Sequence, residues 1–215
     1  MAVNAERDAL SFIVQDDPLA GPRRLPAIAD PAPLGLAALA LTTLVFSVFN
    51  AGLLDSSGAP VVLGVAVAYG GLVQLLAGMW EFRRGNTFGA MAFGSFAAFW
   101  LSYGALEDVL INRIPGSEAG NALAMFFIVW AIFTALLWVA SLRMTVAVSA
   151  MLALLTVTFV LLGIGEAGPH SEIIKIGGWF GIATAAAGLY AAFGALINAT
   201  WERTLVPLRA VRHDR

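Results

Sequence analysis

Long apolar runs separated by short polar breaks dominate the pattern along this chain of 215 residues. Six of the runs reach or approach the roughly 20 apolar residues that a helix needs to cross a bilayer. They lie at about 34–54, 59–82, 88–106, 120–142, 144–165 and 174–200. Arg143 alone marks the turn between the fourth and fifth runs. The pattern therefore predicts an all-α membrane protein with a bundle of six transmembrane helices.

The composition agrees with this class of protein. Hydrophobic residues make up 60% of the chain and charged residues 12%, whereas soluble domains have roughly 45–50% and 25%. The absence of cysteine excludes disulfides and thiolate metal sites. A net charge of −2 gives no reason to expect a nucleic-acid partner.

The charged residues divide the chain into three parts. Residues 1–29 contain several charged residues and lack the long apolar stretch of a secretory signal, so they are predicted to form a mobile cytoplasmic tail. Residues 30–205 form the six-helix transmembrane domain, and residues 206–215 form a cytoplasmic C-terminal tail.

The distribution of Lys and Arg predicts the orientation in the membrane, because cytoplasmic loops carry an excess of these residues. With the N-terminus inside, Arg113 and Lys175 lie outside. The other ten cations lie inside: Arg7, Arg23, Arg24, Arg83, Arg84, Arg143, Arg203, Arg209, Arg212 and Arg215. We therefore expect a multi-pass protein of the inner or plasma membrane with both termini cytoplasmic.

Motifs of enzymes and cofactor sites are missing from the sequence. There is no HExxH, GxSxG or Walker sequence, and His170 and His213 are too isolated to hold a metal. We expect no enzyme activity, no metal and no cofactor. No formally charged residue lies in the middle of a span, which argues against a proton relay carried by the protein. A channel remains open, as does a carrier whose substrate brings its own proton.

Uncharged polar residues at depth are the candidates for a pathway. Thr43 and Asn50 are seven residues apart and share a helix face. Hydroxyls in such helices often bond back to their own backbone instead. Gln74 needs partners in protein or water, because lipid offers none.

Two short motifs lie at the predicted cytoplasmic surface. The first is Asp30, Pro31, Ala32, Pro33, Leu34, Gly35 and Leu36. It suits a helix start, and its free N–H groups could also attract a small anion at a cytoplasmic mouth. In the second, Gly85, Asn86 and Thr87 are predicted to form a structural turn between the second and third helices.

The same motifs carry a family resemblance that covers about residues 30–208. The matching residues are Asp30–Leu36, Thr42-Thr43, Asn50-Ala51-Gly52, Tyr69-Gly70-Gly71, Gln74, Ala77-Gly78, Glu81, Gly85-Asn86-Thr87-Phe88-Gly89, Ser95, Phe99-Trp100, Gly178-Trp179, Tyr190, Asn198 and Arg203-Thr204. The chain resembles the acetate uptake transporter family (Gpr1/Fun34/YaaH), which includes succinate–acetate permease. Asp30 stands where Asn is usual.

The resemblance implies a homo-hexamer with a pore in each protomer that passes acetate and related short carboxylates, such as succinate. It places the pore constriction at Leu39, Phe96 and Leu155, with Thr43, Asn50 and Gln74 as polar contacts. Leu39 replaces a ring and Phe96 replaces a phenol of the family. These changes are either neutral drift or a cause of altered substrate preference. Two alternatives stay open: transport of ammonia, ammonium or another small neutral solute, and a membrane sensor or assembly protein without flux.

Overall fold

The structure, a computed structural model, describes residues 28–110, 113–168 and 170–209. Most of the predicted tail at 1–29, and residues 210–215, lie outside the described residues. Within them there are six helices long and apolar enough to cross a membrane, and no strand. The prediction of an all-α membrane protein with six spans is confirmed.

The helices begin and end within a few residues of the predicted spans. We number them α1, Ala32–Asn50; α2, which joins Val61–Val65, a π-helical part Ala66–Val73 and Gln74–Arg84; α3, Thr87–Ala105; α4, Gly116–Ser141; α5, Val146–Ala167; and α6, Ser171–Thr200. A further π turn, Leu106–Leu110, extends α3.

Local side-chain bonds set several of these boundaries. Gly85 ends α2 with φ +76°, a left-handed conformation that glycine adopts without strain. The Asn86 side chain then accepts a hydrogen bond from Gly89 N at 3.1 Å and caps α3. In the loop after α1, hydrogen bonds from Ser57 stabilise the Asp55 carboxylate and lower the pKa of Asp55. The polar breaks seen in the sequence are therefore capping and turn residues.

The six helices pack in a ring. α1 packs against α2 and α6, α2 against α3, and α5 against both α4 and α6. α3 and α4 meet through aromatic side chains, which keep their backbones apart. Phe96 and Phe133 have centroids 6.0 Å apart, and Phe99 and Phe126 have centroids 5.4 Å apart. This arrangement surrounds an interior that is reached from the two ends of the bundle.

Small residues allow α2 to lie close to its neighbours. A Cβ added at Gly78 would lie 2.9 Å from Gly94 N of α3, and one added at Gly70 would lie 2.7 Å from the Trp100 indole. Close backbone approach at small residues is how membrane helices associate. The π-helical part of α2 contains Gly70 and therefore lies directly against α3.

Residues 201–209 fold back over the end of the bundle, and we call them the C-terminal strap. The Asn198 side chain accepts hydrogen bonds from Leu205 N and Val206 N, and donates one to Val206 O. Val146 N at the start of α5 donates to Arg209 O at 2.8 Å. The strap therefore links the ends of α5 and α6.

Candidate functional site

One cavity of about 170 Å³ opens into the bundle at the end where α1 begins, which we call the terminal end. Its wall is almost entirely apolar, and Glu81 is its one charged side chain among the described residues. The lining residues are Ala32, Leu36, Leu39, Glu81, Asn86, Phe88, Gly89, Ala92, Phe93, Phe96, Met144, Thr145, Val148, Met151, Leu152, Ala191, Ala195 and Leu208. We call it the terminal cavity.

A second cavity, of about 340 Å³, lies at the opposite end of the bundle, and we call it the far cavity. It is formed by the last part of α1, the first part of α2 and the last part of α3. Its lining residues are Phe46, Phe49, Asn50, Ser56, Ala59, Pro60, Val62, Leu63, Tyr103 and Glu107. The same three helices therefore contribute to both cavities.

A layer of buried polar groups separates the two cavities. Its members are Thr42 and Thr43 of α1, Gln74 of α2 and Trp100 of α3. On α3, for example, Trp100 lies between Phe96 of the terminal cavity and Tyr103 of the far cavity. The hydroxyl oxygens, both amide atoms of Gln74 and Trp100 Nε1 have no hydrogen-bond partner within the described part of the chain. We call these residues the buried polar layer.

The hydroxyls of α1 differ in this respect from those of the other helices. Thr134, Thr158 and Thr184 donate to the backbone carbonyl one turn earlier in their own helices, at 2.7–2.9 Å. Those hydroxyls are satisfied structurally. Thr42 and Thr43 make no such bond within the described residues, so their hydroxyls remain available to a ligand. Buried polar groups without partners are uncommon and call for an explanation.

The predicted constriction residues are all buried, with side chains no more than 2% exposed. Leu39 and Phe96 line the terminal cavity, in the part of its wall that is nearest to the buried polar layer. Leu155 belongs to the same hydrophobic core, one turn beyond the lining residues Met151 and Leu152 of α5. The structure thus brings two of the three to the cavity wall and puts the third in the core behind it.

The predicted polar contacts occupy two different places. Thr43 and Gln74 lie in the buried polar layer. Asn50 lines the far cavity instead, and its Nδ2 donates to Phe46 O at 3.0 Å. Of the three, Asn50 is therefore the one with a bond to its own helix.

The predicted mouth motif divides between two surfaces. Ala32 and Leu36 line the terminal cavity, whereas Pro33 and Leu34 line a groove beside Tyr69 and Phe193. Gly35 packs beneath the Phe93 ring. Pro31 precedes the first helical residue. Asp30 accepts a hydrogen bond from Ala32 N at 3.0 Å and pairs with Arg84, so its charge is shared with a cation of α2.

Two residues of this site are missing from the sequence-based prediction. Trp100 belongs to a matching segment and is not among the predicted pathway residues. Glu81 is likewise only one of the matching residues there, and its side chain is fully buried and faces the terminal cavity. Its neighbours explain this burial: Asn86 Nδ2 donates to Glu81 Oε2 at 2.8 Å, and Gly89 leaves room for the carboxyl group. The sequence carries no local signal of this burial, because it depends on the packing of Asn86 and Gly89 around the carboxyl group.

Six apolar helices around two opposed cavities define a multi-pass membrane protein of the channel and transporter class. The sequence profile of the GPR1/FUN34/yaaH family matches residues 14–210, and the chain belongs to this family.

Characterised relatives and a solved structure agree with this assignment. Acetate permease A of Emericella nidulans is 40% identical over 195 residues, which cover 84% of this chain and 65% of the fungal protein. The chain thus matches less than two thirds of that relative. The succinate-acetate/proton symporter SatP of Escherichia coli K12 is 34% identical over 183 residues, covering 84% of this chain and 95% of SatP. The structure of the bacterial acetate channel SatP superposes with a TM-score of 0.79 at 32% identity, covering 85% of this chain and 99% of that one.

Proposed function

We propose that this protein conducts acetate and related short-chain carboxylates, including succinate, across a membrane through the interior of each protomer. The observation that carries the proposal is the pair of opposed cavities on α1, α2 and α3, separated by the buried polar layer. The names of acetate permease A and SatP support the choice of substrate.

The chemistry of the buried polar layer suits a carboxylate. A carboxylate accepts hydrogen bonds and needs donors. Thr42 and Thr43 hydroxyls, Gln74 Nε2 and Trp100 Nε1 are donors without partners among the described residues. The apolar constriction at Leu39, Phe96 and Leu155 opposes the passage of a bare anion, since hydrophobic constrictions gate by dewetting. Selectivity for the substrate would then depend on the dehydrated apolar constriction and on the hydrogen-bond donors of the buried polar layer beyond it.

We further propose that the protein is not an enzyme and that it works as a homo-hexamer in the inner or plasma membrane, with both termini cytoplasmic. The names of its relatives describe a permease, a symporter and a channel. Native mass spectrometry of the detergent-solubilised chain tests the assembly. A mass of six copies is expected, and a monomer at all protein concentrations would refute the hexamer.

Flux measurements on a matched pair of variants test the pathway. Ala92 is buried and lines the terminal cavity, whereas Met91, its neighbour on α3, is exposed. In proteoliposomes, Ala92→Trp should reduce labelled-acetate flux to the level of protein-free liposomes, because the new indole fills the cavity. Met91→Trp should leave the flux unchanged. Equal fluxes in the two variants would exclude a pathway through the terminal cavity.

The same proteoliposomes distinguish the alternatives. Ammonia flux, with acetate flux no higher than in protein-free liposomes, would show that the substrate is a small neutral solute and not a carboxylate. Flux of neither solute in a folded protein would favour a sensor or assembly protein. We expect acetate flux above the background of protein-free liposomes, and inhibition of that flux by unlabelled succinate.

A further inference from the structure

The Glu81 carboxyl group lies inside the bundle with one oxygen free. Glu81 Oε2 accepts a hydrogen bond from Asn86 Nδ2 at 2.8 Å. Glu81 Oε1 is buried and has no partner within the described residues. The side chain lines the terminal cavity, where a substrate entering from this end would meet it. A buried polar atom that faces a cavity without a partner is available to a ligand.

Few charges surround this carboxyl group. Asp30 and Arg84 are the charged residues close enough to act on it electrostatically. They pair with each other at the partly exposed rim, and Arg84 donates its bond to Asp30. From the other elements, Leu36 of α1, Gly89 of α3, Thr145 before α5, Ala195 of α6 and Leu208 of the strap line the same cavity, and all are uncharged. No cation in the cavity wall compensates an anion there, as far as the chain is described.

The protonation state of Glu81 decides whether a carboxylate can enter. An ionised carboxyl group only accepts hydrogen bonds, and so does an acetate anion. Two anions in one apolar cavity would repel each other strongly, because the local dielectric constant is low. A protonated Glu81 would instead donate its O–H to a substrate oxygen, a short and strong type of hydrogen bond.

We propose that Glu81 is the proton-bearing group that receives the carboxylate substrate in the terminal cavity, with one proton taken up for each carboxylate bound. A proton from water binds Glu81 Oε1, and the resulting O–H donates to the substrate carboxylate. As the substrate moves on, the O–H bond of Glu81 breaks and an O–H bond forms on the substrate. A neutral acid then meets the constriction, and Glu81 is left ionised for the next proton. This inference rests on the proposed function.

The transfer fits the apolar gate beyond the cavity. Leu39 and Phe96 oppose an ion far more than a neutral acid, since moving a charge into an apolar medium is costly. Proton transfer at Glu81 would remove that charge before the gate. Glu81 would thus be a proton site of the protein itself, although no charged residue lies at the centre of a span.

The pH dependence of acetate affinity tests the proposal on the full chain. Affinity can be followed by the rise in thermal unfolding temperature with acetate concentration. If binding takes up one proton, the affinity of the wild-type protein should fall about tenfold per pH unit in the alkaline range. Glu81→Gln keeps a hydrogen-bond donor but cannot titrate, so its affinity should not vary with pH. The control Glu118→Gln removes an exposed carboxyl group in the first turn of α4, and it should behave as the wild-type protein does.

The results of this experiment distinguish failure of the role of Glu81 from failure of the proposed function. If Glu81→Gln keeps the tenfold slope, the proton travels on the substrate alone and the role of Glu81 is refuted. If the wild-type protein binds no carboxylate at any pH, the proposed function fails, whatever Glu81 does.

A second measurement detects the proton directly in the wild-type protein and does not need the Glu81→Gln variant. Infrared difference spectra with ¹³C-labelled glutamate should show a protonated Glu carboxyl band in the acetate-bound protein. This band should be absent from folded Glu81→Asp protein at the same frequency. A spectrum without any labelled band on acetate binding would also refute the proposal.

Discussion

Phe96 separates the terminal cavity from the aromatic side chains that join α3 and α4. Its ring lines the cavity and contacts Trp130 and Phe133, with centroids 6.4 and 6.0 Å away. A hydroxyl added to this ring would introduce a polar group at the predicted constriction. Since polar groups favour wetting of a narrow passage, the residue at this position should control the barrier to a carboxylate.

We predict that Phe96→Tyr raises acetate flux severalfold and changes the preference between acetate and succinate. Labelled uptake into proteoliposomes measures both quantities. Phe127→Tyr is the matched control, because Phe127 is buried in the same aromatic packing but lines neither cavity. If Phe96→Tyr and Phe127→Tyr have equal rates and selectivity, the ring at Phe96 does not set the barrier.

Gly89 is a second residue at which a single substitution should change the protein, here by lowering its stability. A Cβ added there would lie 2.6 Å from Asn86 Nδ2 and 2.8 Å from Glu81 Cδ. Gly89→Ala should therefore break the Asn86–Glu81 hydrogen bond and destabilise the fold by about 1–3 kcal/mol, the usual cost of overpacking. Gly94→Ala on the same helix meets nothing within 4 Å. Thermal unfolding in detergent should show a lower midpoint for Gly89→Ala alone, and equal midpoints would contradict this.

At the scale of elements, the C-terminal strap connects the helix ends to the terminal cavity. Asn198 makes three hydrogen bonds to residues 205 and 206. The Tyr190 hydroxyl donates to Pro207 O at 2.8 Å. These bonds hold Leu208 in the cavity wall. Asn198 therefore determines the position of a residue that closes one side of the cavity.

We predict that Asn198→Ala loosens the strap, since each lost hydrogen bond removes about 1 kcal/mol. The chain has no cysteine, so Leu208→Cys introduces a single thiol. That thiol should react severalfold faster with a maleimide when Asn198→Ala is also present. Asn121→Ala, at an exposed side chain of α4, is the control and should leave the rate unchanged. An unchanged rate with Asn198→Ala would mean that other contacts hold the strap.

The elements were largely predictable from the sequence, whereas the site was predictable only in part. Runs of apolar residues and the breaks at Arg143 and Gly85 are local properties, so the six helices follow from them. The pairing of Asp30 with Arg84 joins residues 54 positions apart, and no local pattern indicates it. The burial of Glu81 depends on the space above Gly89 and on the Asn86 amide, which only the packed structure provides. The same is true of the difference between Thr43 and Thr158, whose hydroxyls look alike in the sequence.

For the whole molecule, the ring of six helices places the beginning and the end of the described chain together. Ala32 and Leu208 line the same cavity. An even number of spans requires both termini to lie on one side of the membrane. Which side this is depends on charge, and the ten arginines that the sequence assigns to the inner side predict that it is the cytoplasm.

Single thiols at the two ends of the bundle test this orientation. Ser57 lies in the loop before α2 at the far end, and Thr204 lies in the C-terminal strap; both are exposed. In intact cells, a membrane-impermeant maleimide should label Ser57→Cys and spare Thr204→Cys until the cells are lysed. The opposite pattern would place the terminal cavity outside the cell. Glu81 would then meet the extracellular pH, and a proton gradient directed into the cell would load it before a carboxylate enters. The orientation therefore decides whether protonation of Glu81 would favour uptake or release of the substrate.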